Sequence, residues 1–241
     1  MDALTAATES APAISNVTSF FMIDPKTFAT GAEHGFSGLD FYVTGRGGVL
    51  GEVDADVVAA AFVFFSPDTV RAQWEAGRAV LPALDAGRAF AGCLVDWTHE
   101  HVPADLDAAR LAELAERVVA AASPAGAPLF AGWRANVEAP DEPAARATFA
   151  LNALRELRAA RHAGAVLAAG LDVRDAVSHR SPGMAGIFGW GDPVDTAAIA
   201  SRWDEAEAAT DVAFAPVFEV LDDAERAELT DLSLALLDAV R

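Results

Sequence analysis

The sequence predicts an all-α protein, a two-lobed helical bundle. Apolar residues recur at helical spacing along most of the chain, and no stretch alternates as a strand does. A proline- and glycine-rich interval then divides the helical signals into two halves. With 241 residues, 53% of them hydrophobic, there is ample material for a core.

Residues 1–18 are Ala/Ser/Thr-rich without clear periodicity and read as a mobile tail. The N-terminal lobe spans 19–122. It opens on an aromatic and glycine-rich segment, Ser19 to Gly51, carrying Phe20, Phe21, Phe28, Phe36, Phe41 and Tyr42, which reads as the least regular part. Asp54 caps a helix toward Phe65, where Ser66-Pro67 ends it and starts the next toward Trp74. A third helical pattern runs through Leu84, Ala91, Leu94 and Val95. A fourth, opened by Asp105, uses Leu106, Leu111, Leu114 and Val118 as its apolar side.

Pro124, Gly126, Pro128 and Pro140 mark residues 123–142 as a linker around Phe130 and Trp133, followed by a C-terminal lobe over 143–241. That lobe starts with Asp141 as cap and Pro143 in the first turn, and its long helix should stop at Gly170. Leu171 to His179 gives a short helix, Pro193 opens another, and Asp222 precedes the last, with Leu229, Leu232, Leu236 and Leu237 as its stripe.

Composition narrows the function. A net charge of −19 repels nucleic acid and anionic membrane unless the few arginines gather in one patch. Cys93 is the single cysteine, so no intrachain disulfide forms, and the small apolar residue it resembles is a core residue. No signal sequence and no membrane-spanning run is visible, which makes the cytoplasm the expected location. The run Gly45 to Gly51 has the wrong spacing for a phosphate loop and reads as a turn.

The most telling stretch is Leu154 to His179. On a helix, residues four and seven apart fall within about 40° of each other, so Arg155, Arg158 and His162 share a face. Such a stripe is a solvated edge, paired off by Glu156 and other acids, or the lining of a site. Arginine grips an oxyanion through paired hydrogen bonds, and a neutral imidazole accepts a proton near pH 7. The candidate site therefore has His162 and His179 in catalytic positions. Arg46, Arg155, Arg158 and Trp190 are its ligand-binding residues, with aromatic walls from the N-terminal lobe. The expected ligand is a small anionic or aromatic organic molecule, no cofactor is specified, and a homodimer is left open. Asp96, His99, Glu100 and His101 suggest a metal, but on a helix the two histidines point about 200° apart, so no metal residues are assigned. A haem- or metal-dependent enzyme is a further alternative, and haem would need His162 or His179 as axial ligand.

Arg155, Glu156, Arg158 and His162, then Ala168-Ala169-Gly170-Leu171 and His179, resemble the R-E-x-R-G-x-G-H…AAGL…H pattern of an actinobacterial family of helix-turn-helix-like proteins that includes SalK-type proteins. Tyr42, Arg46, Leu50, Gly51, Val58, Phe62, Phe65 and Pro67 fit the earlier part of that pattern, so the resemblance covers roughly residues 40 to 211. It implies a winged-helix-related fold and, as one alternative, a transcriptional regulator. Two departures stand out. Family glycines are replaced by Ala159 and Arg161, and the stretch after Arg180 contains neither a basic recognition helix nor a wing hairpin. A degenerate winged helix that does not bind specific DNA is the expectation, with a mobile covering loop at residues 188–192, where glycines at 183, 186, 189 and 191 interrupt regular structure.

Overall fold

The computed structural model describes residues 1–241, and every regular element in it is helical. Helix α1 spans Ala3–Asn16, α2 Ser19–Met22, α3 Pro25–His34, α4 Asp40–Gly47, α5 Ala55–Ala61, α6 Pro67–Arg78 and α7 Ala83–His101. Then come α8 (Ala108–Ala121), α9 (Pro128–Asn136), α10 (Pro143–Ala168), α11 (Val173–Arg180), α12 (Ala200–Phe214) and α13 (Asp223–Ala239). No helix is long and apolar enough to cross a membrane.

Side-chain caps explain many of the helix starts. Asp24, Asp54, Asp172 and Glu142 each accept a backbone N–H in the first turn of α3, α5, α11 and α10. Asp222 forms a reciprocal capping box with Glu225 at α13. The cap of α10 is thus Glu142 rather than Asp141, and that of α8 is Asp107 rather than Asp105. Gly170, with φ +67, ends the long helix where the sequence places its stop.

Several expectations change. Residues 1–18 are not a tail: α1 buries Ala6, Ala7, Ser10, Ala13 and Ile14, and it packs along α13 and the turn at Ala215–Val220. The segment from Ser19 to Gly51 is mostly helix, because its glycines permit close helix crossings instead of turns. A Cβ on Gly45 would lie 2.7 Å from Phe90, and one on Gly48 would lie 2.0 Å from the Ala83 carbonyl oxygen. The interval 123–142 is no linker, since α9 within it buries Leu129, Phe130, Gly132 and Trp133. Pro193 starts no helix, and α12 begins at Ala200.

One hydrophobic cluster of 48 residues runs from Ala6 to Leu237 and takes side chains from both halves. The boundary between lobes therefore does not fall at residues 123–142. A smaller cluster of six, Val166, Leu171, Ala176, Ile199, Trp203 and Ala206, joins the end of α10 to α11 and α12. Helix α10, about 39 Å long at 1.5 Å per residue, passes through both. It packs on α7, α8, α9 and α12, and from Ala147 to Leu157 it is buried almost all round.

The two readings of the N-terminus differ in energy. Ile14 is 1% exposed, so Ile14→Ala should cost about 2 to 5 kcal/mol, measured by urea unfolding. A change within about 0.5 kcal/mol would mean that α1 adds nothing to the core.

Candidate functional site

A cavity of about 850 Å³ runs beside the middle of α10. Its walls come from α1, α4, the end of α5 and the turn after it, the start of α9, α10, α11, the segment after α11, and α12. Arg46 of α4 and Arg155, Arg158 and His162 of α10 all line it. Glu156, Arg180, Glu207 and Asp211 line it as well.

The floor is an ion cluster. Glu156 is 3% exposed and receives two hydrogen bonds from Arg46, Nε to Oε1 and Nη2 to Oε2, each at 2.8 Å. Arg155 Nη1 donates to Oε1 as well, also at 2.8 Å. Burial alone would push the Glu156 carboxyl up, but the two guanidiniums outweigh it and hold the group below its ordinary value. Burial likewise opposes the charge on Arg46, and Glu156 and Tyr42 overcome it. The guanidinium of Arg46 lies 4.7 Å from the Phe62 ring centre.

Farther along α10, Arg158 Nη2 donates to Asp211 at 3.0 Å and to Glu207 at 3.5 Å. His162 stacks on Phe64, with ring centres 5.4 Å apart, and meets Trp203 edge-on at 5.2 Å. Its Nδ1 is 3.0 Å from the Thr210 hydroxyl, whose own proton goes to the Ala206 carbonyl at 2.7 Å. A hydroxyl has one proton to give. Thr210 must therefore accept from His162, which fixes the Nδ1–H tautomer and leaves Nε2 with a free lone pair. Burial holds the imidazole pKa below its ordinary value; Arg158 and Arg180 push the same way, and Glu207 and Asp211 push back. His162 is thus neutral at pH 7 and can accept a proton at Nε2.

Aromatic rings form the remaining wall. Tyr42 stacks on Phe65 at 5.7 Å, and Phe65 stacks on Phe188 at 4.1 Å. The segment carrying Phe188 is tied down at two points. The Ser66 N–H donates to the Phe188 carbonyl at 2.7 Å, and Trp190 Nε1 donates to the Phe64 carbonyl at 2.8 Å. The stretch expected as a mobile cover is thus bonded to the turn between α5 and α6.

Two candidates stand outside. His179 does not line the cavity: its Nδ1 pairs with Thr196 at 3.1 Å, and its ring packs on the side of Trp203, 5.5 Å centre to centre. Trp190 lies outside the lining too and anchors the segment instead. The sequence reading missed Arg180, Glu207 and Asp211. Arg180 was visible at the end of a short helix, but the two acids are single members of an acidic helix, and only the fold selects them.

Elsewhere, His101 stacks on Trp97 and Glu100 pairs with Lys26, so the α7 cluster is engaged in packing and an ion pair. No three potential metal-ligating side chains converge in the chain. Every basic side chain except Arg134, Arg161, Arg174, Arg180 and Arg202 is in an ion pair. Four of those five donate to backbone carbonyls, and Arg180 alone has neither kind of partner.

A family model described as a helix-turn-helix family matches residues 7–188. No curated protein and no solved structure matches.

Two substitutions probe the charges. Glu156→Gln leaves Arg46 buried without its counter-ion and should cost about 3 to 5 kcal/mol. Because the folded carboxyl titrates below its ordinary 4.5, its stabilisation is complete above that value and is lost as pH falls through the folded value. The unfolding free energy of the variant should therefore vary less with pH below about 4.5 than that of the wild type; equal slopes would remove Glu156 from the linkage. Thr210→Val should move the neutral His162 proton from Nδ1 toward Nε2, read by nitrogen NMR of the imidazole. An unchanged tautomer would mean that the hydroxyl does not set it.

Proposed function

Since the chain belongs to this helix-turn-helix family, whose model spans residues 7–188, we propose that it is a small-molecule-binding member of it, in the SalK-like branch that its motifs resemble. The ligand is an anionic aromatic molecule held in the cavity beside α10, with the arginines facing its charge and His162 Nε2 placed to take a proton from it. One observation carries this reading. In a chain of net charge −19, the lining holds four arginines against Glu156, Glu207 and Asp211, together with a broad aromatic wall. A concave apolar surface with a few converging polar groups is the usual form of a ligand site. The volume suits a molecule of drug size.

The family match supports a second reading, a regulator that contacts DNA. Against it stand the lack of any strand to form a wing and the engagement of almost every basic side chain. In our reading specific duplex DNA is not a partner.

The test uses 1-anilinonaphthalene-8-sulfonate, an aromatic anion that fluoresces when bound. It should bind the folded protein at one site, and Ala159→Trp, which fills the cavity from α10, should abolish that binding with little change in melting temperature. Binding indifferent to Ala159→Trp would overturn the proposal. A screen of genomic fragments should show no selective binding at physiological salt, and submicromolar selective binding would favour the regulator.

A further inference from the structure

The hydrogen-bonding groups left open on the cavity wall are specific enough to describe the ligand further, resting on the reading of the cavity as a ligand site. Three of the four lining arginines already have acids: Arg46 and Arg155 share Glu156, and Arg158 takes Asp211 and Glu207. Arg180, at the C-terminal end of α11, has no ion pair and no hydrogen bond in a chain where 36 acids face 17 bases. Arg180 is itself exposed, so its guanidinium is solvated at the rim of the cavity and is not taken up by any carboxylate. Its own position on the wall leaves the whole guanidinium edge for a planar oxyanion. Its charge reaches His162, where it acts in the same direction as Arg158.

The open acceptors lie close to His162. The free lone pair of Nε2 faces Glu207 Oε1 at 3.9 Å, too far for a bond between them, and neither atom has a donor. The other Glu207 oxygen meets Arg158 only at 3.5 Å. Two acceptors that face each other across such a gap are satisfied by a group that brings hydrogens to it. Phe64, stacked on the imidazole, flanks the same point with an apolar face. Counting charges, four arginines against three acids leave one positive charge, which suits a ligand that brings a carboxylate.

We propose that Arg180 is the anion anchor of the site and that the gap between His162 Nε2 and Glu207 is a hydrogen-bond-donor subsite, so that the ligand is an aromatic carboxylic acid also carrying a hydroxyl or amino hydrogen. The carboxylate sits on Arg180, the ring lies against the Phe64, Phe65 and Phe188 wall, and the polar hydrogen points at Nε2. Arg155 is second in importance for the anion because Glu156 already holds it.

The probes are L-phenylalanine, phenyllactate, 3-phenylpropanoate and the methyl ester of phenyllactate. Each is measured by displacement of 1-anilinonaphthalene-8-sulfonate, using the dye affinity determined separately in each variant. Phenyllactate or phenylalanine should bind at least tenfold more tightly than 3-phenylpropanoate, which lacks the polar hydrogen, and than the ester, which lacks the charge. The stronger of the two identifies the donor as hydroxyl or amine. Arg180→Gln should weaken the acids at least tenfold and leave the ester and the melting temperature unchanged, while Arg155→Gln weakens them less. Equal affinities for acid and ester, or acids that bind Arg180→Gln as well as wild type, would overturn the assignment. If none of the four displaces a dye that Ala159→Trp excludes, the cavity stands as a ligand site and this ligand class falls. If the dye ignores Ala159→Trp, the cavity reading falls with it.

Discussion

The bond between Arg46 and Glu156 joins two residues 110 positions apart, and the rest of the cavity depends on it. A buried ion pair adds little net stability, because desolvation consumes much of the attraction. What it does supply is geometry: a two-pronged guanidinium–carboxylate contact fixes distance, plane and rotation at once. Holding Arg46 against α10 also fixes Tyr42, one turn earlier on α4, and hence the Tyr42–Phe65–Phe188 stack. On α10, sinking Glu156 to 3% exposure turns Arg155, Arg158 and His162 toward the open side. A single buried carboxylate thereby sets which face of the long helix lines the cavity.

Such a contact needs α4 to come close, and glycine allows it. Gly45 crosses α7 at Phe90, Gly48 reaches the backbone of Ala83, and Gly77 of α6 lies against Thr44, where a Cβ would be 1.9 Å from the hydroxyl. A larger side chain at any of these points would push α4 outward and carry Arg46 with it. The glycine-rich stretch is consequently packing material for three crossing helices, and its position beside the site follows from the packing.

The sequence made some of this legible and hid the rest for identifiable reasons. Helical class, the stop at Gly170 and the shared face of Arg155, Arg158 and His162 could be read because periodicity and capping are local. Helix α1 was hidden because its buried stripe is Ala6, Ala7, Ser10, Ala13 and Ile14, whose small side chains look like low complexity. Its Asp2 cap, which accepts from Thr5, was the one available signal. The glycines of α4 looked like turns because nothing local separates a glycine chosen for φ from one chosen for closeness. His179 was placed in the site as a second imidazole in the same stretch, with no spacing argument to orient it. In the fold Trp203 stands between it and His162, so the second histidine supports the wall from behind. Glu207 and Asp211 became site residues only because α12 lies along α10, a long-range fact with no trace in either helix.

If α10, the turn at Gly170 and α11 are taken as the helix-turn-helix of the family, the proposed reading gives that pair an unusual purpose. A DNA-reading second helix turns an uncompensated basic face outward, whereas α11 carries Asp172 at its cap and Asp175 in its first turn, and Arg174 bonds the Asp192 carbonyl. Its remaining cation, Arg180, sits on the cavity wall. The segment that follows is held by main-chain and indole hydrogen bonds to the α5–α6 turn, so it closes the aromatic wall. In the proposed reading the charge at the end of α11 lies at the exposed rim of the cavity, close enough to act on a neutral histidine held in one tautomer.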